Sequence, residues 1–245
     1  MTRLTGTGGR DSLATPAVPR PPAGKRSPAG VLADPRVRLG AGTAVMLATA
    51  LAARHHRVSR GEAMAFRAVN DLPGALYPPA WIIMQLGTLG AAPAAAGVAW
   101  LTGDRRLAGR LLAGGTGTWA AAKVVKRMVR RPRPAALLPG TRRRGPDATG
   151  LGYLSGHAGV AVALGAAVLP RLGPAGRALT LAVMPAVGLT RVYVGAHLPL
   201  DIAGGAALGL AMDAVLALAQ ESRWPARQGG PGSGEKCLPK AHKRQ

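Results

Sequence analysis

The chain has 245 residues, a formal net charge of +22, and 48% hydrophobic against only 3% aromatic residues. Its 32 Lys and Arg gather at the two ends and between apolar runs, which excludes an ordinary soluble domain and reads as a polytopic membrane protein. Basic residues so placed meet anionic lipid headgroups rather than nucleic acid. The single cysteine, Cys237, excludes an intrachain disulfide.

Residues 1–38 hold seven Lys or Arg, and five Pro before Asp34, with little to bury, and read as a disordered, basic cytoplasmic arm without a signal-peptide core. Residues 39–53 form the first apolar run, bracketed by Arg38 and Arg54 and short for a span of ~20 residues. A short interfacial helix is expected around Met64, Phe66 and Val69. The adjacent His55 and His56 do not share a helix face and read as solvated rather than metal-binding.

The second span is expected as one helix from Trp81 to Trp100, with the tryptophans as interfacial anchors. The third covers about 108–126, where Gly114, Gly115 and Gly117 suit close helix packing. A loop over 127–154 carries seven arginines. The fourth, fifth and sixth spans are expected at about 155–170, 178–193 and 199–219, the last with Gly204, Gly205 and Gly209 on its packing faces. Asp213, deep in the sixth, is expected to pair with an arginine of a neighbouring span. Residues 221–245 read as a basic polar cytoplasmic tail, leaving 39–220 as the membrane domain.

With both basic termini inside, six spans put the arginine-bearing turns at 102–107 and 171–177 inside as well. The end of the third span and the starts of the fourth and sixth then share the outer face. Three groups of polar residues converge there. The first runs from Lys126 to Pro134, where Pro132 and Pro134 hold the chain extended and present Arg131 and Arg133 in one direction, a clamp suited to phosphate. In the second, Ser155-Gly156-His157 opens an apolar run, with a small backbone able to approach an anion. In the third, Arg191 precedes His197 and Asp201, which are four apart and share one face if the helix has begun. A carboxylate on one imidazole nitrogen fixes the tautomer and leaves the other as a nucleophile.

Taken together, these groups resemble the type-2 phosphatidic acid phosphatase superfamily, the membrane lipid phosphate phosphatases. Its pattern is Lys, six residues, Arg-Pro; then Pro-Ser-Gly-His; then Ser-Arg, five residues, His, three residues, Asp. Lys126, Arg133 and Pro134 fit the first element, Ser155, Gly156 and His157 the second, and Arg191, His197 and Asp201 the third. Leu154 stands where the family has proline, and Thr190 where it has serine.

The resemblance implies an all-α, six-span membrane phosphatase with no metal or other cofactor, its site on the extracytoplasmic face of the cell membrane. Lys126, Arg133, Ser155, Gly156 and Arg191 would bind the phosphoryl oxygens. His197, oriented by Asp201, would form a phosphohistidine, and His157 would protonate the leaving group. Similarity to bacterial members implies a polyprenyl substrate such as undecaprenyl pyrophosphate, with phosphatidic acid or phosphatidylglycerol phosphate as the rivals. The superfamily's vanadium haloperoxidases are soluble and larger, which the spans exclude.

Overall fold

The computed structural model describes residues 34–146 and 149–223, and among these every regular element is helical. The bulk of the basic arm and of the tail therefore lies outside the described residues. The arm's last residues, however, already belong to the first helix.

Helix α1 spans Pro35–Ala53, because the Asp34 side chain caps the Arg36 amide and Pro35 stands at the first helical position, where a missing N–H costs nothing. The apolar run thereby becomes a 19-residue helix, longer than expected. Helix α2, Arg60–Asn70, is the amphipathic segment anticipated around Phe66, capped by Ser59. It buries Glu62, Phe66 and Asn70 and leaves Met64 exposed.

The expected single helix from Trp81 to Trp100 is two. Helix α3 runs Tyr77–Gln85, its entry set by Pro78 and Pro79, and α4 runs Ala91–Leu101. Between them, residues 86–90 form successive turns. The break has a steric use: a Cβ at Gly87 would lie 2.5 Å from the His157 carbonyl oxygen, so the chain there lies directly against the start of a later helix.

Helix α5, Arg105–Val129, is capped by Asp104 and ends at Arg130 in the left-handed region (φ 55°). The short α6, Pro134–Leu137, and an irregular segment lead to α7, Gly156–Val168, followed by a 3-10 turn at Leu169–Arg171. Helix α8 is Pro174–Tyr193 and α9 is Pro199–Arg223. By length and composition α9, over Pro199–Ser222, is the one described helix able to cross a membrane.

Helix α7 lies at the centre, with nine of its thirteen residues buried. Small residues let helices approach closely: a Cβ at Gly209 of α9 would collide with the Gly159 carbonyl oxygen of α7, and one at Gly115 of α5 with the Ala92 side chain of α4. At one end of the bundle Asp213 takes Arg38 at 2.5 Å and Arg110 at 2.6 Å, as anticipated, and Arg171 pairs with Asp104 at 2.7 Å. The turns at 102–104 and 171–173 therefore share that end. The three polar groups sit at the other.

Candidate active site

Each arm of the site is presented by a helix terminus. Lys126 lies in the last turn of α5, Gly156 and His157 open α7, Arg191 lies in the last turn of α8, and His197 and Asp201 flank the start of α9. Lys126, Arg133, Gly156, His157, Arg191 and His197 line one cleft of about 370 Å³, closed on another side by Gly87, Thr88 and Leu89 of the α3–α4 break.

Lys126 and Arg133 are held by backbone carbonyls rather than by carboxylates. Lys126 Nζ donates to the Leu151 and Gly152 oxygens at 3.1 and 3.0 Å. Arg133 donates to the Thr149 oxygen at 2.7 Å and to the Ala196 oxygen at 2.8 Å. Arg191 Nη1 reaches only the Met84 sulfur, at 3.1 Å, and its Nε is buried without a partner. Carbonyls position these charges without neutralising them, so the cleft keeps its appetite for an anion.

His197 and Asp201 meet, but not on one helix face. Helix α9 starts at Pro199, so His197 precedes it. Asp201 Oδ2 accepts from the Leu198 amide at 2.9 Å, a carboxylate reaching back over its own helix start. The same oxygen lies 3.6 Å from His197 Nδ1, which has no other partner. Nε2 is then the ring nitrogen directed away from the carboxylate. Burial pushes the His197 imidazole down to about 3 against the pull of Asp201, so the ring is neutral at pH 7.

Two expectations are corrected. Arg131 does not stand beside Arg133 in the clamp: it is fully buried, with Nη1 donating to Asp201 Oδ1 and to Glu62 Oε1, both at 3.0 Å, and Nη2 to Glu62 Oε2 at 2.7 Å. Pro132 between them does not align the pair. Ser155 is likewise fully buried and caps α7 through the Ala158 amide at 3.4 Å, while Gly156 and His157 face the cleft. Leu154, where the family pattern has proline, is completely buried.

Glu62 escaped the sequence reading. Its local pattern, Ser59-Arg60-Gly61-Glu62, spells a helix-start signature, which accounts for the residue without reference to Arg131. The lining residues 87–89 were hidden inside an apolar run.

A cleft rimmed by Lys and Arg, a neutral histidine backed by a carboxylate, and a second histidine facing the same space are the equipment for transferring a phosphoryl group. This defines an all-helical phosphoryl-transfer protein. Residues 107–225, which include all three motif groups, match the PAP2 superfamily.

The fold is similar to that of Aquifex aeolicus LpxE, at 18% identity and a TM-score of 0.54 over 63% of this chain and 93% of that one. It is similar also to a transmembrane PAP2-type phosphatidylglycerolphosphate phosphatase from Bacillus subtilis, at 20% identity and a TM-score of 0.56 over 76% of this chain and 99% of that one. Among curated proteins no sequence match is found.

Proposed function

We propose that the chain is an integral-membrane, metal-independent phosphatase that cleaves a lipid phosphate or pyrophosphate through a phosphohistidine on His197. One observation carries the reading of a lipid substrate. A groove of about 660 Å³, lined almost wholly by apolar residues of α4, α7 and α8, shares Thr88 with the cationic cleft. A molecule with an anionic head and a hydrocarbon tail matches this pair of cavities, and a soluble phosphate ester does not.

Six helical rods, α1, α3 with α4, α5, α7, α8 and α9, support the six-span reading. Large apolar side chains such as Leu51, Trp81, Val98, Val124, Leu179 and Val215 stand exposed on the outer rods, as lipid-facing surfaces require. The cleft lies opposite the Arg38, Arg110 and Arg171 end; that end goes with the basic termini in the cytoplasm, at the cost of an arginine-rich outer loop at 127–144 that runs against the positive-inside tendency and that phosphate binding would explain. The site then faces outward.

In the proposed reaction Lys126, Arg133, Arg191 and the Gly156 amide bind the phosphoryl oxygens. His197 Nε2 attacks phosphorus, the bond to the leaving oxygen breaks, and His157 donates the proton that the leaving group needs. Water then attacks the phosphohistidine, His157 takes its proton, and the phosphorus–nitrogen bond breaks to release inorganic phosphate and neutral His197. A polyprenyl pyrophosphate is the preferred substrate and phosphatidic acid or phosphatidylglycerol phosphate the alternative. The likeness in fold to a Bacillus subtilis phosphatidylglycerolphosphate phosphatase supports the last of these.

Phosphate release by detergent-purified protein in EDTA tests the reading, with undecaprenyl pyrophosphate, phosphatidic acid and phosphatidylglycerol phosphate compared for wild type and His197→Ala. Release that the substitution abolishes supports the mechanism, and the fastest substrate names the lipid. A His197→Ala enzyme with wild-type turnover on its best lipid sinks it.

A further inference from the structure

Behind the nucleophile lies a buried chain of charges that no motif describes. Glu62 on α2 grips both Nη atoms of Arg131, at 3.0 and 2.7 Å, and its Oε1 also accepts from the Leu200 amide at 3.2 Å. Arg131 Nη1 bonds Asp201 Oδ1 at 3.0 Å, and Asp201 Oδ2 faces His197. The Arg131 and Asp201 side chains are completely buried and that of Glu62 is 4% exposed, so little water screens them.

The charges decide what each member does. Asp201 and Arg131 alone would be a neutral pair, and a carboxylate so compensated does little for the imidazole beside it. Glu62 adds a second negative charge on the far side of the guanidinium, and the trio carries a net charge of −1 next to His197. We infer that Glu62 is a positioning residue for the reaction: by neutralising Arg131 it lets Asp201 act on His197 with its full charge and holds it in place. This rests on the phosphatase reading above, in which His197 attacks phosphorus.

The other charged groups facing His197 come from every wall of the cleft. They are Lys126 of α5, His157 of α7, Arg191 of α8 and Arg133 of the connecting segment, all cationic or neutral. The carboxylate set against the ring is thus Asp201, backed by Arg131 and Glu62. Removing one carboxylate from this chain lowers the basicity of His197, and with it the nucleophilicity.

The test compares wild type, Glu62→Gln, Glu62→Asp and the double variant Glu62→Gln/Arg131→Gln on the lipid that wild type turns over best. Glu62→Gln is expected to lower kcat at least tenfold with KM within twofold, and to move the acid limb of the kcat profile to lower pH. Substrate ionisation is common to all four and cancels in the comparison. Glu62→Asp should restore most of kcat, and the double variant should return the acid limb toward that of wild type, because the uncompensated guanidinium is gone. A Glu62→Gln enzyme that keeps both kcat and its acid limb overturns the inference. So does one whose loss follows only a lowered melting temperature, with the acid limb unmoved in both variants. Failure of the phosphatase reading is a separate result, since wild type would then release no phosphate from any lipid.

Discussion

Arg131 and Arg133 have the same side chain and stand two residues apart, yet the fold gives them opposite duties. Arg133 lines the cleft and holds its charge ready on carbonyl partners, whereas Arg131 is sealed between two carboxylates. Arg133→Met should therefore weaken substrate binding and turnover while leaving the melting temperature close to wild type. Arg131→Met strands Glu62 and Asp201 as buried charges, a loss of about 3–5 kcal/mol, and should lower the melting temperature in detergent sharply. Equal thermal stability of the two variants would contradict this division. His197 carries a pH signature as well. Its folded-state pKa of about 3 lies below the ordinary 6.5, so the unfolded chain binds the extra proton between these values. Stability contributed by the neutral ring is present above pH 6.5 and is lost as pH falls toward 3. Replacing His197 by Gln should flatten the decline of melting temperature over that window.

At the scale of elements, the helices pack where a side chain is missing. Gly209 of α9 leaves room for the backbone of α7, and an added methyl would collide with the Gly159 carbonyl oxygen, a contact that a backbone atom cannot relieve by rotating. Gly209→Ala should cost about 1–3 kcal/mol through forced separation of the two helices. Because α7 carries His157 and α9 carries Asp201, turnover should fall along with stability. Gly97, which has open space around its Cβ position, is the control: Gly97→Ala should leave both unchanged, and parity of the two variants in melting and turnover would refute the packing argument. The α3–α4 break belongs to the same scale. It brings residues 87–89 to the cleft wall and lets the apolar groove begin where the cationic cleft ends.

For the molecule as a whole, the ion pairs of Asp213 and Asp104 mark one end of the bundle and the cleft marks the other. If six rods cross the bilayer with the cleft outward, cysteines at Thr102 and Pro139, each introduced after Cys237→Ser, should react with an impermeant maleimide from opposite sides. In intact cells only the Pro139→Cys protein should be labelled, and Thr102→Cys should need permeabilised cells. Labelling of both from outside would rule out the proposed topology.

Much of this was legible in the sequence. Helical apolar runs, the position of every helix start from α7 onward to within a few residues, and the three motif groups follow from local chemistry: small and apolar residues favour packed helices, while prolines and capping residues set the ends. The pairing of Asp213 with arginines was readable too, because a lone carboxylate in an apolar run requires a cation. Tertiary structure alone decided the rest. Whether an arginine reaches a phosphate or a carboxylate depends on what stands opposite it, and Glu62, which claims Arg131, lies 69 residues away along the chain. The break at 86–90 was invisible for the same reason: its residues are apolar and helix-compatible, and contact with α7 sets the path of the backbone there. Sequence fixes what each residue can do; the partner that folding brings to it selects which of those things it does.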